Sequence, residues 1–189
     1  GSLYYIEGRY AESVELMQQV LALNLSRPTP WPSELALEFL YVKMNLLLLH
    51  ALRGDRAAFE AAAKNYVAYG QRAGFKAEHV RQMKYEVYLR RLQVAFVTAD
   101  AQLARQTLNT RDAHVELTDT PLINEQYLQL FEANAMAICG DYRRALKHLT
   151  HYQSEDAKPD SLLAMYIGLL RLGCKLCFKE YDSLELILR

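Results

Sequence analysis

Two cysteines stand three residues apart in the stretch CKLC, at Cys174 and Cys177. This spacing occurs in zinc sites and in redox dithiols, where it brings two sulfur atoms together. Zinc usually takes four ligands, however, and the sequence has no second pair at a matching spacing. Redox pairs of this kind open a helix that follows a strand, whereas these cysteines fall inside an apolar helical stretch. We therefore interpret them as small, buried helix residues.

Two histidines also stand one helical turn apart, at His148 and His151, and the acidic residues Glu155 and Asp156 follow them. Imidazole and carboxylate groups together can bind a divalent metal. We favour a solvated helix end instead, since histidine near a helix C-terminus complements the helix dipole. His50 lies in the apolar run NLLLLHAL, and we expect it to be a hydrogen-bonded histidine of the core.

Sequence motifs that carry catalysis are missing from the chain. It contains no glycine-rich phosphate loop, no nucleophile elbow, no His-Glu-x-x-His motif and no paired-acid signature. We therefore expect a protein that is not an enzyme, with no catalytic residue, no metal ligand and no cofactor. A buried carboxylate of perturbed acidity would overturn this expectation, and Glu86 is the residue at which we would look for it.

Charge and composition exclude several classes of partner. The 189 residues include 22 basic and 22 acidic side chains, so no net field attracts the chain to nucleic acid or to an anionic membrane. The longest apolar run is too short to span a bilayer. Three cysteines are too few and too unevenly placed for a disulfide framework, which favours a reducing compartment and hence the cytoplasm.

Apolar residues recur at helical spacing along most of the chain, and proline-containing segments separate these stretches. Capping residues agree, because Ser33, Asp119 and Asp160 each precede an apolar helical pattern. The sequence therefore predicts an all-α fold. About nine helices are expected, over residues 9–25, 33–53, 55–72, 76–98, 100–110, 121–139, 141–153, 160–178 and 180–189.

One turn pattern recurs between the predicted helices, at intervals of about forty residues. Its best copy is CGDYRRALKHL, in which Gly140 precedes Tyr142 by two residues and Ala145 follows three residues later. Glycine permits a very short connection between antiparallel helices, because it accepts backbone angles that other residues avoid. The five copies of the turn are centred on Gly8, Gly54, Ala99, Gly140 and Lys179.

This turn resembles that of the tetratricopeptide repeat (TPR) family, in which G-x-[YF]-x-x-A is followed four residues later by a large apolar residue. The resemblance covers nearly the whole chain, although two copies lack the glycine and the period exceeds the roughly 34 residues of a regular TPR. It implies an α-solenoid in which antiparallel hairpins stack into a right-handed superhelix with a concave groove. HEAT-type solenoids have a similar period but lack this turn signature.

The resemblance also implies which residues face the groove, because fixed positions of the first helix in each hairpin line it in the family. The first of these positions, thirteen residues before the corner residue, holds tyrosine in three of four units. Tyrosine supplies a large contact area with few rotatable bonds. Alternatively, these rings pack between neighbouring hairpins and the amides are ordinary surface residues. The predicted groove residues are Tyr41, Met44, Glu86, Gln93, Tyr127, Asn134 and Tyr166.

The sequence therefore predicts a scaffold that binds a protein or peptide in this groove, as the TPR-like part of a larger regulatory protein. Two other functions stay open: a homo-oligomerisation module, or a small-molecule-sensing domain of a bacterial transcription regulator. Residues 1–189 are expected to form a single domain, cut from a longer chain. Self-association through an apolar end is also expected, at Leu184, Leu186, Ile187 and Leu188.

Overall fold

The computed structural model describes residues 8–25, 33–112, 125–150 and 161–178. All regular secondary structure in these ranges is helical, and no strand occurs in them. We label the helices in chain order. They are α1 (Tyr10–Leu25), α2 (Ser33–Leu52), α3 (Arg56–Arg72), α4 (Ala77–Val97), α5 (Ala101–Leu108), α6 (Glu125–Ile138), α7 (Tyr142–Thr150) and α8 (Ser161–Phe178).

The predicted all-α class is confirmed for the described ranges, and their helix bounds agree with the prediction to within a few residues. The ninth predicted helix, over residues 180–189, lies outside the described residues, as does the predicted start of α6 at residue 121. None of the described helices combines the length and the apolar character that are needed to cross a membrane.

The corners at Gly54 and Gly140 have the same geometry. Both glycines have positive φ, +66° and +80°. In each corner the glycine N–H bonds to the carbonyl three residues before it, and the following aspartate N–H bonds to the carbonyl five residues before itself, at 2.9–3.1 Å. These two hydrogen bonds together form the Schellman motif, which satisfies the last free carbonyls of a helix. Short corners of this type join α2 to α3 and α6 to α7 as helical hairpins.

An aspartate after the corner residue then starts the next helix. Asp55 accepts a hydrogen bond from the backbone N–H three residues later at 3.1 Å, and Asp100 and Asp141 do the same at 2.9 and 3.3 Å. A side-chain cap of this kind satisfies one of the free N–H groups of a helix N-terminus. At each of these three corners, therefore, one helix ends and the aspartate caps the start of the next.

Ala99 lies at a degenerate copy of the turn, and it adopts the same left-handed region with φ of +51°. This conformation destabilises the folded state by about 1–2 kcal/mol for a residue other than glycine, because the Cβ atom crowds the backbone. The corner therefore forms without its glycine, and the sequence pattern located it correctly. The corner at Gly8 has φ of +74°, and the copy at Lys179 lies outside the described residues.

The position five residues after each corner residue is a buried contact point. Ser13, Phe59, Ala104 and Ala145 occupy it, and all four side chains are fully enclosed. The position is therefore buried at all four of the corners that the structure describes. The very different sizes of these side chains show that the burial follows from the corner geometry and not from one preferred residue type.

Packing divides the chain into two compact units, residues 1–98 and 99–189, and the boundary falls at the Ala99 corner. In the first unit α2 contacts α1, α3 and α4, and α3 also contacts α4. Val14 and Met17 of α1 pack with Leu46 and Leu49 of α2 in one buried cluster. The expectation of a single TPR-like domain stays a prediction.

The second unit repeats this arrangement with other helices. α7 contacts α6 and α8, α8 also contacts α6, and α5 packs on α6. Its buried cluster contains Leu130, Ala133, Met136, Ala145, Leu149 and Cys174. Arg171 of α8 donates a hydrogen bond to the carbonyl of Leu149 at 2.6 Å, which satisfies a group at the end of α7. In both units, therefore, a third helix covers both members of a hairpin.

Candidate functional site

A cleft of about 220 Å³ opens between α2 and α4 in the first unit, and one residue of α3 reaches into it. Its walls are apolar inside and polar at the edge. The side chains of Tyr66 and Met83 are buried, those of Leu40, Met44, Gln82 and Glu86 are partly buried, and those of Tyr41 and His79 are exposed. The lining residues are Leu40, Tyr41, Met44, Tyr66, His79, Gln82, Met83 and Glu86.

Helical periodicity explains how two helices supply most of these side chains. His79, Gln82, Met83 and Glu86 are spaced three, four and seven residues apart on α4, so they share one face of that helix. The three residues from α2 lie within a little more than one turn. Direct packing of α2 on α4 then brings the two faces together.

Three of the seven predicted groove residues, Tyr41, Met44 and Glu86, meet in this cleft. Tyr41 is 65 % exposed, so its ring stands at the edge of the cleft and is not part of the core. Gln93 lies on α4 but does not line the cleft, and Asn134 is a partly buried residue of the second unit. The side chains of Tyr127 and Tyr166 lie outside the described residues.

Arg90 organises the polar residues of α4 near the cleft. Its Nε and Nη2 atoms both lie 2.7 Å from Oε1 of Glu86, and its Nη1 donates to Oε1 of Gln93 at 3.1 Å. Pairs four residues apart on a helix are favourable, and this one is partly shielded from solvent. Glu86 is therefore a paired carboxylate at the cleft wall and not a deeply buried one.

Tyr66 contributes a hydroxyl group from α3. Burial raises the pKa of Tyr66, and the nearby Glu86 carboxylate raises it further, because both disfavour the phenolate. The ring therefore stays protonated at physiological pH and keeps its O–H as a hydrogen-bond donor. Tyr66 thus adds a protonated phenol side chain to the lining of the cleft.

The basic residues of α4 that follow the cleft are neutralised. Arg91 forms a bidentate pair with Glu60 of α3, with nitrogen–oxygen distances of 2.7 and 2.6 Å, and Arg90 is paired with Glu86. A two-point guanidinium–carboxylate pair also ties α4 to α3 in a defined orientation. Both arginines are thus held in ion pairs, whereas Lys84 earlier on α4 is exposed.

The second unit contains a buried carboxylate that the sequence analysis missed. Glu132 of α6 is completely enclosed, with 0 % of its surface exposed. Its Oε1 lies 2.8 Å from Nε of Arg111, and its Oε2 lies 2.9 Å from Nε2 of His148 on α7. His148 lies near the end of α7 as predicted, but the prediction that it is solvated is wrong, because its side chain is partly buried against this carboxylate. A lone acid in the apolar stretch LFEANAMAI was the available sequence signal.

The other candidate residues in the described ranges do not come together in a site. Cys174 is buried as predicted, but Cys177 is exposed, so the prediction of a buried residue is wrong there. Burial, together with the neighbouring Cys177, raises the pKa of the Cys174 thiol to about 11. Within the described ranges no three His, Cys, Asp or Glu residues are grouped to hold a metal ion. His50 is buried as expected, and its Nδ1 has no hydrogen-bond partner among the described residues.

The chain matches no protein-family model, no curated protein and no solved structure. The resemblance to TPR proteins therefore depends on the turn residues quoted above. The positive φ angles at Gly8, Gly54, Ala99 and Gly140 are the structural features that accompany those residues.

Proposed function

We propose that this chain is a protein-interaction scaffold of the TPR-like α-solenoid class, which binds a peptide or partner helix across α2 and α4. The observation that carries the proposal is the cleft that joins Tyr41, Met44 and Glu86. In stacked hairpins the first helices of neighbouring hairpins lie side by side and form the concave surface. α2 and α4 each precede a corner, which supports their assignment to these positions.

The composition of the cleft supports a protein partner. Tyr41 is exposed, and an exposed tyrosine beside an apolar depression provides contact area at a small cost in side-chain entropy. Met44 and Met83 adapt to varied apolar groups, because their side chains are flexible and polarisable. The Tyr66 hydroxyl and the Glu86 carboxylate supply polar contacts at defined points.

The size of the cleft favours a protein side chain over a separate small molecule. Sites for drug-sized ligands enclose roughly 300–1,000 Å³. The cleft between α2 and α4 has about 220 Å³, which suits one anchoring side chain of a longer segment. This argues against the small-molecule sensor, since the main chain of a bound peptide would lie on the surface outside.

The proposal includes a role in binding and not in catalysis. Glu132, the carboxylate with the strongest claim to an unusual environment, is paired with Arg111, lies against His148 and has no exposed surface for a substrate. The three cysteines are free thiols, which supports a reducing compartment such as the cytoplasm. We further propose that the scaffold acts within a larger regulatory protein.

A peptide selection tests the proposal directly. Random peptides displayed on phage are selected on the 189-residue chain, and the affinities of the enriched peptides are measured for the chain and two variants. Tyr41→Ala should weaken binding at least about tenfold, as for a central interface aromatic. Phe96→Ala is the matched control, because Phe96 is a 51 % exposed aromatic residue of α4 that does not line the cleft.

Two outcomes would contradict the proposal. The first is a selection that enriches no peptide. The second is a set of enriched peptides whose affinities fall equally for Phe96→Ala and Tyr41→Ala, because binding would then occur away from the cleft. Circular dichroism of both variants checks that the helices persist.

One observation favours self-association as a second candidate function. Leu169 and Leu176 of α8 are 57 % and 46 % exposed and stand seven residues apart, so they lie on the same side of the helix. An exposed apolar stripe of this kind can bind a second copy. Light scattering over a hundredfold range of concentration tests it, and Leu169→Glu should abolish any concentration-dependent rise in mass.

A further inference from the structure

Gly70 of α3 faces the side chain of Met83 on α4 without any side-chain atoms between them. A Cβ at position 70 would overlap the Met83 sulfur and lie 2.9 Å from its methyl carbon. Both residues are buried. A glycine inside a helix costs about 1 kcal/mol relative to alanine, so its presence here has to be offset by a contact that alanine would prevent. The Met83 side chain supplies that contact.

Met83 also forms part of the cleft between α2 and α4, whereas Gly70 does not line it. The methionine side chain is only 2 % exposed. Its sulfur lies against Gly70, and the side chain also lines the cleft. Protein interiors are packed without spare volume, so a side chain that is pushed from one face has to move towards open space. For Met83 the open space is the cleft.

We propose that Gly70 sets the depth of the cleft, by giving the Met83 side chain its place against α3, and that the cleft thereby admits one aromatic side chain of the partner. The second half of this proposal rests on the proposed function, and the first half does not. Gly70 is in this sense a specificity-determining position that does not itself touch the partner.

The volume and the chemistry of the cleft both favour an aromatic anchor. An apolar cavity of about 150 Å³ is enough to hold benzene. The 220 Å³ of this cleft therefore holds a ring and the first atoms that connect it to a main chain. Met44 and Met83 both line the cleft, and the polarisable methionine side chain makes favourable contacts with aromatic rings.

Analogues of aromatic side chains test the cleft without any peptide. Toluene, p-cresol and 3-methylindole are titrated at millimolar concentration into protein with ¹³C-labelled methionine methyl groups. The methyl signals of Met44 and Met83 should shift, and those of Met17 and Met136, which lie in other clusters, should stay in place. Gly70→Ala should weaken the binding of all three probes at least about tenfold, because the new methyl group moves Met83 into the cleft.

Two further variants make the result specific. Gly173→Ala is the matched control, because Gly173 is a helical glycine of α8 with open space where its Cβ would lie, and this variant should bind the probes like the original chain. Gly70→Ala combined with Met83→Ala should recover probe binding, since the displaced side chain is gone. Thermal unfolding of each variant confirms that it is folded.

Unchanged probe affinity in folded Gly70→Ala would overturn the proposal, as would a double variant that is folded and still fails to bind. The proposed function fails separately. Probes that bind the cleft while the peptide selection enriches nothing would leave the role of Gly70 intact and remove the peptide partner. Enriched peptides that lack an aromatic residue would overturn the aromatic anchor.

Discussion

The two units have similar backbones but different surroundings for their carboxylates. The first contains the hairpin of α2 and α3 with α4, and the second contains the hairpin of α6 and α7 with α8. Both have a Schellman corner with an aspartate cap, and in both a third helix contacts the two members of the hairpin. In the first unit the carboxylate of Glu86 stands at the wall of an open cleft. In the second unit the carboxylate of Glu132 is enclosed between Arg111 and His148.

This difference shows that the corner determines how the helices connect, while residues between the corners determine what each unit can do. A paired carboxylate beside open space can meet a partner. An enclosed one holds its own helices together, because its attraction to the Arg111 guanidinium acts in a region of low dielectric constant. The binding site accordingly belongs to the first unit, as proposed above.

The largest expected effect compares these two carboxylates. Glu132→Ala should lower the free energy of unfolding by about 2–4 kcal/mol, since it removes a buried charge from two partners and leaves a void. Glu86→Ala should cost less than about 1 kcal/mol, because its pair with Arg90 is partly solvated. Urea unfolding measures both values. Similar losses would show that the two carboxylates have equivalent structural roles.

The second comparison concerns the two glycine corners. Gly140→Ala should cost about 1–2 kcal/mol, from backbone strain at positive φ alone, because a Cβ there meets no atom within 4 Å. Gly54→Ala should cost about 1 kcal/mol more, since its Cβ would lie 2.9 Å from Cγ2 of Thr98 and 3.3 Å from Cγ1 of Val97. Equal costs in urea unfolding would mean that these side chains move aside freely.

The corner that lacks glycine permits the reverse change. Ala99→Gly should raise the free energy of unfolding by up to about 1 kcal/mol, because relief of the left-handed strain exceeds the extra flexibility of glycine in the unfolded chain. Ala101→Gly is the control and should lower stability, because Ala101 is the first residue of α5 and glycine gives the unfolded chain more flexibility without relieving any strain. A destabilised Ala99→Gly variant would contradict the assigned corner.

The smallest expected effect is a pH dependence of the first unit. Burial lowers the pKa of His50, with Asp55 opposing the shift and Arg53 adding to it. The unfolded ring titrates near its ordinary value of 6.5, so the contribution of neutral His50 is complete above that pH. It is lost as the pH falls towards the lower folded pKa, because the unfolded chain then binds more protons.

Urea unfolding at pH 7.5 and pH 5.5 measures this loss of stability on acidification. His50→Leu should reduce the difference between the two pH values, since leucine fills an apolar site and cannot take up a proton. The original histidine leaves Nδ1 without a partner among the described residues, so the leucine is not expected to break a hydrogen bond of that atom. An undiminished pH dependence would assign it to another group.

Part of the proposed binding surface was predicted from the sequence, and part of it depends on contacts between helices. Tyr41, Met44 and Glu86 were predicted to face one groove, and the structure brings them together in one cleft. The same reasoning did not anticipate Tyr66, which comes from α3, or the role of Gly70. Nothing in the local sequence around Gly70 indicates that Met83, on the next helix, requires the space.

The amino-acid sequence by itself determined the helices and their corners. The prediction of a helix over residues 33–53 agrees with α2 at Ser33–Leu52, and even Ala99 was located as a corner without its glycine. Helical periodicity, capping and backbone angles are set by residues within a few positions of each other, so a linear pattern records them. Only the tertiary structure decided that Glu132 is enclosed and that Glu86 stands beside open space. Burial depends on side chains of other helices, which are distant in the sequence, so a local sequence pattern does not predict these contacts.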